Sequence, residues 1–193
     1  MDINLIIVTI YSYLLGSIPF GLILTKLFLK KDIRDVGSGN IGTTNVLRTG
    51  KKSLAAATLL LDLLKGYLSV VITFYYFEDL ISYSALLCFV GHIFPIWLKF
   101  KGGKGVATYL LVILALSYKF FLIFSISWIA LVLLFRFASL SSIASTLIVF
   151  LYSYFFENNN YLVILFIFFI VILYTHRENI VRLKNDSENK IKL

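Results

Sequence analysis

The apolar residues of this chain come in long unbroken runs, of which YLVILFIFFIVILY at residues 161–174 is typical. Inside a membrane every backbone N–H and C=O group must find a partner within the protein, so only helices and closed barrels can cross it. A barrel strand alternates polar and apolar residues over about ten positions, whereas these runs do not alternate. The pattern therefore predicts an all-α membrane protein.

The composition and the charge support this fold class. Hydrophobic residues make up 60% of the 193 residues, which exceeds the roughly half-apolar composition of a soluble domain. The first run follows Asp2 instead of a basic segment, and this argues against a secretory signal peptide. The net charge of +8 lies on residues that border the runs, so we expect membrane lipid and anionic substrates as partners, and no nucleic acid.

The runs are long enough to place individual spans. A crossing helix needs roughly 17 to 25 mostly apolar residues, and on that basis we predict one domain over residues 1–193, a bundle of seven transmembrane helices. The candidate spans cover residues 3–25, 53–77, 80–98, 104–117, 119–136, 139–156 and 160–176. The fourth is short, and it reaches full length only if the glycine-rich segment before it enters the bilayer or the helix begins inside the protein.

The distribution of Lys and Arg predicts the orientation, because these residues flank the cytoplasmic ends of spans more often than the outer ends. Basic residues are frequent in residues 26–52, in KFKGGKG at residues 99–105 and in the tail after residue 175. The turns YFEDLIS and SYK contain Lys119 as their only basic residue. We therefore expect an external N-terminus, a cytoplasmic C-terminus and polar active-site loops on the cytoplasmic face.

The first polar segment is VGSGNIGTTNVLR at residues 36–48. Its glycines permit positive backbone torsions and close approach of a ligand. Its short side chains offer hydrogen-bond donors, and Arg48 offers a planar fork that suits phosphate or carboxylate. A flexible loop beside the membrane is the alternative. The candidate ligands of a bound anion are Ser38, Gly39, Asn40, Thr43, Thr44, Asn45 and Arg48.

The second polar segment, GHIFPIWLKFKGGKGVAT at residues 91–108, places glycines and Lys104 ahead of a helix that we expect to begin near Val106. Unpaired N–H groups at a helix start and the positive end of its dipole favour an anion. The spacing of a nucleotide-binding P-loop is absent, so a phosphate-bearing substrate fits better than a nucleotide. Lysines that only set the topology are the alternative. The candidate residues are Gly102, Gly103, Lys104, Gly105 and Thr108.

Two residues of this region and two of the second span have other expected roles. We expect Pro95 to fix a helix end and His92 to be structural rather than catalytic. Asp62 and Lys65 lie three residues apart on one helical face inside hydrocarbon, where a charge is costly unless it is paired. We expect them to pair with each other or with polar groups of neighbouring helices, although direct contact with substrate is possible.

The remaining polar residues follow the fifth and last spans, in RFASLSS and THRENIVR. Ser139 and Ser142 lie at a helix start, where serine often caps the helix. His176 and Asn179 would share one face of a helix; a basic stop-transfer tail is the alternative. One Cys, two His and no carboxylate cluster at ligand spacing argue against a metal site, and we expect Cys88 to be a packing residue.

The segments SGNIGTTNVLR, GHIFP with FKGGKGVAT, SLSS and HRENIVRL, taken in order with DLLKG at residues 62–66, resemble the bacterial acyl-phosphate glycerol-3-phosphate acyltransferase family. That resemblance implies an enzyme of the bacterial inner membrane that moves an acyl group from acyl phosphate to the 1-hydroxyl of glycerol 3-phosphate, without a cofactor. Lysophosphatidate and inorganic phosphate are the implied products. The implied catalytic residues are Ser38, Arg48, Lys104, Ser142, His176 and Asn179, and the other candidates named above would bind substrate.

The family usually has a glycine before a glutamate after its last motif, and here Asp186 takes that place ahead of Ser187 and Glu188. Asp tolerates a left-handed backbone better than most residues. For removal of the hydroxyl proton we expect a substrate phosphate oxygen, with His176 as a hydrogen-bond donor. A membrane transporter of organic phosphate is the alternative from another class, and a noncatalytic scaffold is a weaker one.

Overall fold

The computed structural model describes residues 2–157 and 160–191, and within these ranges the backbone forms helices and turns without a strand. This confirms the all-α prediction. The chain divides into two compact units, one up to Ala115 and one from Leu116 onwards. The α-helices are α1 Ile3–Ser17, α2 Phe20–Leu29, α3 Thr43–Leu47, α4 Lys52–Tyr76, α5 Ile81–Ile93, α6 Val106–Leu116, α7 Tyr118–Phe135, α8 Ala138–Phe156, α9 Leu162–Thr175 and α10 Arg177–Lys184.

Among the described residues, four helical segments are long and apolar enough to cross a membrane: α4, α7, α8 and the segment Glu78–Leu98, which contains α5. The number rises to six if the bent pairs α1–α2 and α9–α10 each form one span. Helix α6 has 11 residues and is roughly 16 Å long, whereas the hydrocarbon core is about 30 Å thick. The predicted count of seven spans is therefore not confirmed.

The first predicted span, residues 3–25, is wrong as a continuous helix. Helix α1 ends at Ser17, Ile18 is extended, and α2 starts after Pro19 at an angle of 40° to α1. Proline lacks the N–H group that an inner helical position donates, and it disfavours the helical conformation of the residue before it. The sequence therefore contained the signal for this break.

The first unit is built on close contact between α1 and α5. A Cβ atom on Gly16 would lie 2.0 Å from the carbonyl oxygen of Cys88, and one on Gly91 would lie 2.4 Å from that of Tyr13. Small residues at such contacts let two helices in a membrane approach closely. Cys88 is fully buried at this interface, which confirms that it is a packing residue.

A buried ion pair connects α4 to the break between α1 and α2. Lys65 Nζ lies 2.8 Å from Asp62 Oδ1, and the two side chains are only 1% and 3% exposed. The same ammonium group donates a hydrogen bond of 2.8 Å to the carbonyl oxygen of Ile18. The pairing of Asp62 with Lys65 is as predicted, and the second partner of Lys65 is the Ile18 carbonyl at the helix break, which also accepts the N–H of Phe20 at 3.2 Å.

In the second unit α8 packs against α7 and α9, and α10 contacts both α8 and α9. The core of this unit contains fully buried side chains of α8 and α9, among them Val149, Leu165 and Phe168. The chain turns by 58° between α9 and α10. The turn brings the residues that follow α9 beside the start of α8.

The close contact between α1 and α5 yields a stability prediction. Gly91→Ala places a methyl group against the backbone of α1, so we expect a loss of about 1 to 3 kcal/mol in the free energy of unfolding. Ala56→Val adds two methyl groups at an exposed position of α4, and it should change stability by less than about 0.5 kcal/mol. Unfolding of both variants in detergent tests this, and equal stability of the two would contradict the packing argument.

Candidate active site

Asn45 organises the first polar segment, because its side chain bonds to the surrounding backbone. The Nδ2 group lies within hydrogen-bond distance of three carbonyl oxygens, those of Ile33 at 3.0 Å, Val36 at 2.8 Å and Asn40 at 2.8 Å. The Oδ1 atom accepts the backbone N–H of Ser38 at 3.0 Å. Asn45 is buried, and we therefore assign it the role of holding the loop rather than that of contacting a ligand.

Ser38 and Arg48 meet at the amide oxygen of Asn45. Arg48 follows the short helix α3, and its Nη1 atom lies 3.5 Å from Asn45 Oδ1. The side chains of Ser38, Thr44 and Arg48 are exposed, whereas Thr43 is half-buried. The structure thus presents a serine and an arginine together at the surface of a loop that Asn45 fixes from within.

Asn40 also serves the loop, because its Oδ1 atom accepts the N–H of Gly42 at 2.8 Å. Arg34 lies beside this segment and bonds to the carboxylate of Asp32 through Nε at 2.9 Å and Nη2 at 2.7 Å. These bonds from the Arg34 side chain hold the pKa of Asp32 well below its ordinary value. Asp32 is therefore ionised and orients the guanidinium group.

The two polar segments of the first unit line one cavity of about 590 Å³. Gly39 comes from the first segment and Gly102 from the second, and both are predicted site residues. Three cationic side chains share the cavity with them. Among the described residues, the cavity is lined by Arg34, Gly39, Trp97, Leu98, Lys99, Lys101 and Gly102.

Sequence reasoning missed Arg34 and treated Lys99 and Lys101 as topology signals. Their contribution could not be read from spacing, because residues 34 and 99 come together only when α2, α4 and α5 pack. A concentration of positive charge around an open volume attracts anions and raises their local concentration. The cavity is therefore suited to phosphorylated ligands.

The amides of Gly102 and Gly103 are not unpaired, which corrects one expectation. The N–H of Gly102 donates to the carbonyl oxygen of Ile93 at 2.9 Å, and that of Gly103 donates to His92 at 3.1 Å. Both bonds satisfy carbonyl groups at the end of α5, where the helix leaves them without donors. The glycines thus fasten the loop to α5, which ends at Ile93, two residues before Pro95 as expected.

Helix α6 begins at Val106 as predicted, and the N–H of Tyr109 donates to Gly105 at 2.8 Å. The N–H groups of the turn before Tyr109 have no acceptor within the helix, so they can receive an anion. Gly105 has φ of +86°, and a Cβ atom there would lie 2.4 Å from the Phe89 ring. Lys104 is half-buried ahead of this turn and Thr108 is buried within it.

In the second unit, the carboxylate of Glu188 gathers three donors. Asn179 Nδ2 lies 2.6 Å from it, Arg182 Nε 2.7 Å and Ser139 Oγ 2.8 Å. Burial alone would raise the pKa of Glu188, but these three hydrogen bonds outweigh burial and lower it. The structure therefore brings the predicted site residues Ser139 and Asn179 together around an ionised carboxylate.

Two expectations about this cluster can now be judged. Helix α8 is preceded by Phe137 and has no side-chain cap, so the capping interpretation of Ser139 is wrong, and its hydroxyl bonds to the distant Glu188 instead. Asp186 has φ of +51°, which is the left-handed conformation that a glycine would adopt at no cost. This conformation turns the chain so that Glu188 reaches the cluster.

His176 and Ser142 are buried and held by their own helices. His176 Nδ1 lies 2.8 Å from the carbonyl oxygen of Ile172. Because a carbonyl can only accept, Nδ1 carries the hydrogen, and Nε2 is the basic atom of the neutral ring. Ser142 Oγ donates to Ala138 at 2.8 Å and accepts from Trp128 Nε1 at 3.0 Å.

Comparison with known proteins decides the family. A family model described as glycerol-3-phosphate acyltransferase matches residues 6–186. This chain belongs to the glycerol-3-phosphate acyltransferase family. Relatives of that name come from Pelagibacter ubique, with 54% identity over 97% of this chain and 98% of the relative, and from Mesorhizobium japonicum, with 48% identity over 99% and 98%.

Solved structures agree with this family. The crystal structure of PlsY (YgiH), an integral membrane glycerol 3-phosphate acyltransferase, in its glycerol 3-phosphate form matches with a TM-score of 0.92 and 37% identity. It covers 98% of this chain and 96% of PlsY. The lysophosphatidic acid form of PlsY matches with a TM-score of 0.89 and 36% identity over the same shares. This member of the family is therefore an integral membrane acyltransferase of glycerol 3-phosphate, so the expectation of an acyltransferase is confirmed.

The hydrogen bonds of Asn45 predict that replacing its amide nitrogen by an oxygen has a large effect on activity. Asn45→Asp has the same shape but no N–H groups, and it points a carboxylate at three carbonyl oxygens. We expect kcat/KM for glycerol 3-phosphate to fall roughly 100-fold, since small displacements of reacting groups have such effects. Asp35→Asn makes the reverse exchange at an exposed position immediately before this segment and should leave kcat/KM unchanged. Equal activities of the two variants would contradict the role of Asn45.

The bonds of Glu188 predict a pH dependence. Because its pKa is lower in the folded protein than in the unfolded chain, the ionised form stabilises the fold at neutral pH, and this contribution disappears as the pH falls through the folded pKa. In Glu188→Gln we expect a lower melting temperature at neutral pH and a weaker decrease on acidification. Glu178→Gln on the exposed face of α10 is the control, and identical pH profiles for both variants would refute the prediction.

Proposed function

We propose that this acyltransferase takes its acyl group from acyl phosphate and attaches it to the 1-hydroxyl of glycerol 3-phosphate. The products would be lysophosphatidate and inorganic phosphate. The observation that carries the proposal is the cavity in which Arg34, Lys99 and Lys101 surround Gly39 and Gly102. Both proposed substrates are phosphate anions that repel each other, and three cations at one cavity offset that repulsion.

This reaction depends more on the positioning of the two substrates than on a strong acid catalyst. The hydroxyl oxygen of glycerol 3-phosphate attacks the carbonyl carbon of acyl phosphate, and the bond from that carbon to the phosphate oxygen breaks. Phosphate leaves with the bonding electrons, and the hydroxyl proton passes to a base. Because phosphate is a good leaving group, alignment of the two substrates can supply much of the acceleration without an acyl-enzyme intermediate.

We assign the donors by the family resemblance. Arg48 and Ser38 would hold the phosphate of glycerol 3-phosphate at the loop that Asn45 fixes. Lys104 and the amides at the start of α6 would hold the phosphate of the acyl donor. The acyl chain would remain in the inner leaflet while these loops face the cytoplasm.

The hydrogen bond from His176 Nδ1 to Ile172 changes the assignment of the base. In the neutral form of a ring whose Nδ1 donates to Ile172, Nε2 carries no hydrogen, so we propose for His176 the role of proton acceptor in place of the expected donor role. His176→Gln should then reduce kcat while KM for both substrates stays within a few-fold. A wild-type kcat in this variant would instead indicate that a substrate phosphate oxygen accepts the proton.

The donor can be tested with the purified protein in lipid micelles. Acyl phosphate and glycerol 3-phosphate together should give equal amounts of inorganic phosphate and acylated product. An acyl thioester of the same chain length is the matched control and should give no product. Product from the thioester but none from acyl phosphate would overturn the proposed donor.

The assigned cations predict two further results. Lys104→Ala and Arg48→Ala should each lower kcat/KM by roughly 100-fold or more, because each removes a charge that offsets a phosphate. Lys119→Ala is the control, since this exposed lysine pairs with Glu157 at 2.8 Å in the turn after α8. Activity of Lys104→Ala or Arg48→Ala equal to that of Lys119→Ala would remove the residue from the site.

A further inference from the structure

The loop ahead of α6 rests directly on a buried histidine. His92 is 4% exposed, and a Cβ atom on Gly103 would lie 2.1 Å from its Nε2 atom. No side chain larger than hydrogen fits between the ring and the loop. The ring therefore limits how closely the loop of residues 102–105 can approach α5, in addition to the two backbone bonds from Gly102 and Gly103.

The ring in turn lies against the ion pair of α4. His92 Nδ1 lies 3.7 Å from Asp62 Oδ1, too far for a hydrogen bond but in direct contact. Asp62 is paired with Lys65, and Lys65 donates to the carbonyl oxygen of Ile18. A continuous set of buried polar groups thus runs from the break between α1 and α2 to the loop.

Helix α4 also reaches the start of α6 beside this set. A Cβ atom on Gly66, the residue after Lys65, would lie 2.6 Å from the carbonyl oxygen of Thr108. The helix that carries Asp62 and Lys65 therefore touches the first turn of α6 as well as the ring beneath the loop. The loop of residues 102–105 and the first turn of α6, which together would hold the phosphate of the acyl donor, are therefore both in the neighbourhood of α4.

Burying three titratable side chains is costly, and well-packed apolar residues of similar size are often as stable as a buried ion pair. Stability alone therefore gives a weak reason for this arrangement. We propose that Asp62, Lys65 and His92 form a positioning network that fixes Lys104 and the first turn of α6 at the height required by the substrate phosphate. This inference rests on the function proposed above.

The experiment compares His92 with a buried polar residue of the same helix that lies far from the loop. His92→Leu removes the polar ring, and His92→Asn keeps a polar atom near the position of Nδ1. Ser84→Ala is the matched control, because Ser84 is fully buried on α5 and bonds to Ser12 and Ser69 at 2.9 Å. For each variant kcat, KM for both substrates and the melting temperature are measured.

We expect His92→Leu to lower kcat/KM for acyl phosphate by roughly 30- to 100-fold, with a melting temperature no lower than that of Ser84→Ala. The kcat/KM of His92→Asn for acyl phosphate should be about tenfold higher than that of His92→Leu. Kinetic constants of His92→Leu equal to those of Ser84→Ala would overturn the proposal, and so would equal losses in His92→Leu and His92→Asn.

If His92→Leu does not fold, His92→Asn decides the question. It lacks the ring edge beneath Gly103, so its kcat/KM should still lie roughly three- to tenfold below that of Ser84→Ala, and equality of the two would refute the network. Failure of the proposed function looks different. In that case the wild-type protein releases no phosphate from acyl phosphate in the presence of glycerol 3-phosphate, or Lys104→Ala is fully active.

Discussion

The pairing of Lys65 with Asp62 in an apolar interior is the interaction on which the first unit depends. A charge among membrane helices costs several kcal/mol unless it is paired or faces water, and here both side chains are almost fully buried. The bond from Lys65 to Ile18 also satisfies the carbonyl group at the break before Pro19. The pair therefore joins α4 to a broken helix and lies under the ring that supports the loop before α6.

Local patterns allowed much of this fold to be predicted. Helix α4 was expected at residues 53–77 and lies at Lys52–Tyr76, because a long apolar run has one stable conformation in lipid. The Asp62–Lys65 pair was also predictable, because residues three apart on one helix lie on the same face and can contact each other. The break at Pro19 was overlooked although its signal is local, because the apolar run continues across it.

The site was less predictable, because its contacts join distant parts of the chain. Gly102 and Gly103 were expected to offer unpaired N–H groups to an anion, but these groups bond to carbonyls of α5, which only the folded chain shows. Ser139, a substrate-binding candidate with a helix cap as the alternative, bonds to Glu188 across 49 residues, a contact that no local pattern indicates. Asp186 was the exception: the tolerance of Asp for a left-handed backbone was an expectation, and the structure shows that conformation.

The central claim is that the cationic loops hold both phosphorylated substrates at once and that the acyl group passes directly between them. Initial rates of the purified enzyme over a grid of acyl phosphate and glycerol 3-phosphate concentrations test it most directly. Direct transfer predicts double-reciprocal lines that intersect, and no release of phosphate from acyl phosphate alone. Parallel lines, with a burst of phosphate in the absence of glycerol 3-phosphate, indicate a covalent acyl-enzyme and would contradict the account.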